Sequence, residues 1–192
     1  HFDLEKVRGK KVLLKPNAGR CAAPGEGITT DPGVVAAAID AFQEAGAVVA
    51  VGESPITGVK AFDALEETGI SAVARERGCA LLDLDARPPV VRAIPGAQAL
   101  DAIKICADVL EHDVVVSLPV MKMHMHTGVT LAIKNMKGCL WRRSKVDLHM
   151  LPAIEGCDEK PLNVAIADLS GVLRPHLSII DGTVGMEGMG PS

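Results

Sequence analysis

At 192 residues, with 24 acidic against 20 basic side chains and a formal charge of −4, the chain is long enough for one well-buried domain and too acidic for a nucleic-acid binder. Aromatic residues are 2% of it and Tyr is absent, so bases would find few stacking platforms and the core must be built from Val, Leu, Ile, Ala and Met. No apolar run reaches bilayer length and no signal peptide opens the chain, which argues for a cytosolic protein. The five scattered cysteines, Cys21, Cys79, Cys106, Cys139 and Cys157, form no CxxC pair and argue against a disulfide framework or a Cys-only zinc or iron–sulfur site.

In chain order, Lys11-Val-Leu-Leu-Lys15 reads as a strand halted by Pro16-Asn17, followed by a glycine-containing loop. Asp31-Pro32 is an N-cap with proline in the first turn, opening a helix through Val34, Val35, Ala38, Ile39 and Phe42 that Gly46 ends. Ala47–Val51 is a second buried strand running into Gly52-Glu53-Ser54, and the spacing of Leu65, Ile70, Val73 and Ala74 predicts one helix over Ala61–Arg77. Ala80–Leu84 is a third strand, the proline-punctuated stretch Arg87–Gly96 suits an edge strand, and Leu100–Leu110 is expected to be helical in part.

Val114–Val116 reads as a central strand buried on both faces, ending at Pro119. After His124 and His126, Thr127 is the expected N-cap of a helix carrying Val129, Ala132, Ile133, Met136 and Leu140 on one face and Thr130, Lys134 and Lys137 on another. Residues 141–160 read as a long loop, Asn163 as the cap of a helix ending at Gly171, and Leu177–Asp181 as the last strand before a glycine-rich loop. The alternation defines a single α/β domain over residues 1–192, with a mostly parallel sheet and helices on both faces in a Rossmann-like three-layer arrangement. Both ends read as cut, as in part of a longer chain.

Parallel sheets of this kind bind ligands beyond the carboxyl ends of their strands. There the sequence gathers Lys15 and Asn17, Glu53 and Ser54, Asp83 and Asp85, then Lys122, His124 and His126, and finally Asp181. Between Lys122 and His149 lie Lys134, Lys137, Arg142, Arg143 and Lys145 against Asp147 alone, a basic island that favours an anionic ligand. His124, His126 and the more distant His149 can supply metal ligands or acid–base groups near neutral pH, and Lys134, if buried, an activated amine.

Several stretches together resemble the family called domain of unknown function 362. They are Lys11–Asn17, Thr29-Thr-Asp-Pro32, Val51-Gly-Glu-Ser54, Ser117–His124, Thr130–Gly138 with Lys134-Asn135, and Ile180-Asp-Gly182. The resemblance implies an association with iron–sulfur proteins, because members frequently carry a ferredoxin-like segment with cysteine motifs. No such motif lies in these residues, so a cluster would sit outside this stretch or on a partner. A fainter similarity is to the nickel-pincer lactate racemases, in which a lysine anchors a pyridinium-derived cofactor and a histidine binds nickel; His124, Lys134 and His149 fall in the corresponding order. The glycine-rich run before that family's lysine is replaced here by Val129–Ile133.

The expectation is thus a protein that binds an anionic small molecule or a metal-containing cofactor at the strand ends. Lys122 and Lys134 would neutralise the anion, His124, His126 and Lys134 would perform acid–base chemistry, and His124, His126 and His149 would hold a transition metal. Lys15, Asn17, Glu53 and Asp181 complete the expected ligand contacts. The competing expectation is a redox accessory module working with a 4Fe-4S ferredoxin-like segment or partner.

Overall fold

The computed structural model of the protein describes residues 2–188 and 190. The first strand, β1 (Lys11–Pro16), is buried from Val12 onward. Helix α1 (Pro32–Glu44) begins where the Asp31 carboxylate accepts the Gly33 N–H at 2.7 Å, with Pro32 in the first turn, where a missing N–H costs nothing. Strand β2 (Val48–Glu53) then lies parallel to β1. The single helix expected over residues 61–77 is two, α2 (Ala61–Glu67) and α3 (Ile70–Glu76). Gly69 separates them at φ 74°, a left-handed conformation that glycine takes without a Cβ penalty.

Strand β3 (Ala80–Asp83) joins β2, whereas β4 (Val90–Ala93) and β5 (Ala102–Ile105) form a separate antiparallel pair. The helix expected within Leu100–Leu110 shrinks to α4 (Ala107–Glu111), because Ala-Ile-Lys-Ile alternates outward and inward with a strand's period of two. Strand β6 (Val114–Leu118) is buried throughout, and past Pro119 the chain continues as β7 (Val120–His124).

The helix expected from Thr127 is replaced by strand β8 (Gly128–Thr130), a single helical turn α5 (Ala132–Asn135) and a 3-10 turn over Met136–Cys139. Gly128 at φ 74° turns the chain back on β7, and the supposed apolar stripe is broken, with Val129 47% and Ile133 37% exposed. The 141–160 segment holds α6 (Ser144–Asp147) and a 3-10 turn over Leu148–Met150. Helix α7 (Pro161–Val172) starts before Asn163, on Pro161 with Lys160 as its cap residue, since proline's fixed φ suits the first turn. Strand β9 (Leu177–Ser178) is short. The expected glycine-rich loop begins instead as β10 (Asp181–Met186), paired parallel to β7; Met189, Pro191 and Ser192 of that loop lie outside the described residues.

The main sheet is five-stranded and wholly parallel in the order β3-β2-β1-β6-β9, and a smaller sheet runs β10-β7-β8. Alternate residues of the main strands feed two cores. Val12, Leu14, Val51 and Val116 pack with Val35, Ile39, Phe42 and Ile70, while Leu13 and Val115 pack with Met136, Leu140, Leu162 and Leu169. Helices therefore cover both faces, the three-layer α/β arrangement expected.

The two sheets are joined at Asp181, which is 3% exposed. Its N–H donates to Pro119 O at 2.8 Å; its carboxylate accepts the Asp31 N–H at 2.7 Å and the Thr183 hydroxyl at 2.7 Å. Asp181→Ala leaves those donors without acceptors and is expected to lower stability by about 1–3 kcal/mol in urea denaturation, with Asp181→Asn retaining part of the loss.

Candidate functional site

The carboxyl ends of β1 and β2, the inner face of β7 and the turns after β8 enclose a cavity of about 320 Å³. Its floor is an ion pair. Lys15 Nζ lies 2.8 and 2.9 Å from the two Glu53 oxygens, with both side chains 2% exposed, and it also donates to Pro16 O at 2.5 Å. Glu53 is completed by the N–H groups of Ala18 at 2.7 Å and Ser54 at 2.8 Å, so its charge is fully hydrogen-bonded. Asn135 donates to Lys15 O and Ser117 Oγ, both at 3.0 Å, fastening the turn after α5 to β1 and β6. Gly138 sits against this pair, and a Cβ there would stand 2.7 Å from Lys15 Cε.

Above the floor stand amines of a different kind. Lys122, 7% exposed, reaches Ile28 O and Asn17 Oδ1; burial, with Lys134 and Arg20 nearby, lowers its pKa to about 8. Burial alone takes Lys134 to about 8, and burial with the neighbouring Lys134 and Lys145 takes Lys137 to about 7. Among the described residues none of these three has a carboxylate oxygen within 4.0 Å. Lys145 is buried too but partnered, by Ser54 Oγ, Leu140 O at 3.0 Å and Asp85 at 3.4 Å.

The histidines form a row along one wall. Ring centroids are 5.6 Å apart between His124 and His126 and 5.4 Å between His126 and His149. His124 Nδ1 accepts the His126 N–H at 3.1 Å, so the neutral ring carries its proton on Nε2. Burial, then Lys134 and the other neighbouring cations, depresses His124 to about 4; burial, then Lys137, does the same to His149, whose Nε2 meets Lys137 Nζ.

This surrounding fits a metal ion poorly. Among the described residues no group of three His, Cys, Asp or Glu side chains is arranged to hold one, and the amines of Lys134 and Lys137 set positive charge beside the imidazoles. Cys106 and Cys139 are buried thiols whose pKa values burial drives upward, Cys139 to about 12, the opposite of what cluster-binding thiolates require.

Of the residues singled out by sequence, Lys15, Asn17, Glu53, Lys122, His124, His126, Lys134 and His149 line one cavity. Asp181 does not; its carboxylate is spent on the joint between the sheets. Asp83 caps the turn after β3 by accepting the Asp85 N–H, and Asp85 faces Lys145. Sequence reasoning did not single out Asn135 as a contact, and it counted Lys137 and Lys145 in the basic island without naming them among the ligand contacts. The three-residue spacing of Lys137 from Lys134 was the available signal, whereas Lys145 looks like its exposed neighbours Arg142 and Arg143 until α6 turns it inward.

A parallel three-layer α/β domain with a basic cavity at its strand ends is the class of protein these features define. The family described as Domain of unknown function (DUF362) matches residues 12–192, and the chain belongs to that family. It is 32% identical over 188 residues to a thylakoid-associated protein of Synechocystis sp., covering 95% of this chain and 54% of that protein. A crystal structure of a Thermotoga maritima protein shares the fold with a TM-score of 0.54 at 14% identity, over 92% of this chain and 49% of that one. The chain thus spans about half the length of both relatives.

The depressed His124 pKa has a readout. Between about pH 4 and the ordinary value of 6.5 the unfolded chain binds a proton at His124 that the folded one refuses, so stability falls as pH drops through this window. His124→Gln is expected to shrink the drop in melting temperature between pH 7 and pH 5, measured by circular dichroism against the parent protein.

Proposed function

We propose that the cavity binds a small anion, a phosphate or carboxylate compound, through Lys122, Lys134 and Lys137, with His124 and the amines nearest neutrality placed to exchange protons with it. The observation that carries this reading is the contrast between the cations of the cavity. Lys15 and Lys145 are matched by Glu53 and Asp85, while three further amines crowd one another without a carboxylate among the described residues. Desolvated and mutually repelling, they gain most from a multiply charged anion, which restores their ordinary protonation. Thr130 also lines the cavity, 2% exposed, and its Oγ1 has no hydrogen-bond partner among the described residues.

A redox module would need cluster-binding thiolates from outside these residues, whereas an anion site needs only the side chains already present. Among the described residues no helix is long and apolar enough to cross a membrane. The proposal places the protein in the cytosol; fractionation of the native cell, with recovery at a membrane surface as the contrary result, tests that part.

Sulfate, whose charge is constant near neutrality, is the simplest probe. Binding by isothermal titration calorimetry is expected to be strong at pH 6.5, where Lys122 and Lys134 are protonated and Lys137 is mostly so. It should weaken as pH rises through about 7 and 8, where Lys137 and then Lys122 and Lys134 lose their protons. Lys122→Met or Lys134→Met removes a charged hydrogen bond and should lower affinity by about tenfold or more at pH 6.5. Equal affinity at pH 6.5 and 9, in a folded protein, contradicts the proposal.

A further inference from the structure

Lys134 lines two cavities. Beyond the basic one lies a second of about 290 Å³ on the far side of the turn that carries it. Its walls are mainly Val129, Leu131, Ala132 and Ile133 from β8 and α5, with Ile166 from α7 opposite. Besides Lys134 its polar side chains are two: Thr127, which is turned back on Val129 O at 3.0 Å, and Asn163. A lysine at such a border divides by its own chemistry, the methylene stem suiting apolar walls and the ammonium group suiting the anion side.

We infer that the ligand is an amphiphile, with an anionic head among Lys122, Lys134 and Lys137 and a single short hydrocarbon tail between α5 and α7. This inference rests on the anion reading above and extends it to the part of the molecule that leaves the basic cavity. The apolar groove adjoins the charged one through a shared residue, and two of its apolar side chains, Val129 and Ile133, are 47% and 37% exposed. A tail laid over them removes that surface from water without any change in the fold. A second protein chain is the poorer occupant, because the groove is a small cavity and abuts a cluster of cations that only an anionic group relieves.

Two homologous series, alkyl phosphates and alkyl carboxylates from methyl to octyl, test this by calorimetry on the full chain at pH 6.5, below micelle-forming concentrations. Affinity is expected to rise about two- to fourfold per methylene and to level off once the groove is filled; the series with the higher affinity identifies the head group. Ile166→Asp, in a variant that still folds by circular dichroism, should abolish the chain-length gain while leaving the methyl compound's affinity within error. The smaller change Ile166→Ala, which reduces the gain without a buried charge, serves if the aspartate variant misfolds. Binding of the methyl compound with no gain along the series overturns the inference and leaves the anion site standing. No binding by any member overturns both, and a gain that persists in Ile166→Asp and Ile166→Ala overturns the assigned groove.

Discussion

Everything in the cavity is built on the ion pair between Lys15 and Glu53. Two charges removed from water need more than each other, and here the carboxylate also collects the N–H groups of Ala18 and Ser54 while the ammonium group finds a backbone carbonyl. Parallel neighbours β1 and β2 put the two side chains at matching carboxyl ends, so the pair follows from the register of the sheet. Gly138 follows in turn, since the packed lysine leaves no room for a Cβ. The pair thereby fixes how closely α5 and the 3-10 turn after it, with Lys134 and Lys137, approach the sheet.

That arrangement separates structural from available charge. Lys15 and Lys145 are neutralised within the protein, and Asp181 and Asp85 are committed to backbone donors and to a lysine. What faces the cavity is an excess of amines, with the His124 and His149 imidazoles held neutral by their surroundings. Positive potential created in this way costs stability, and that cost is what the proposed anion would relieve.

The parallel sheet was legible in the sequence because buried strands are written as unbroken β-branched runs, Val114–Val116 above all, and because Asp31-Pro32 marks a helix start by its own chemistry. Convergence of Lys15 and Glu53 followed from the parallel topology, and Lys122 and His124 reach the same edge because the chain continues past β6 into β7 of the smaller sheet. The stretch after His126 misled. Its apolar spacing fits a helix over Val129–Leu140, but Gly128 closes a hairpin first, and pairing of β8 with β7 outweighs a weak local preference. For the same reason Lys145 could not be told from the solvated Arg142 and Arg143. Its inward direction is set by Asp85, 60 residues earlier in the chain.

Strand β7, which carries Lys122 and His124, lies between β8 and β10, so the cavity wall is held by residues as far along as Met186. During synthesis β1, β2 and β6 can associate as soon as they emerge. The wall bearing Lys122 and His124 stays unpaired on one edge until β10, much later in the chain, arrives. The cavity is thus among the last parts of the domain to be completed, and a ligand of the proposed kind would find it formed only once folding is nearly finished.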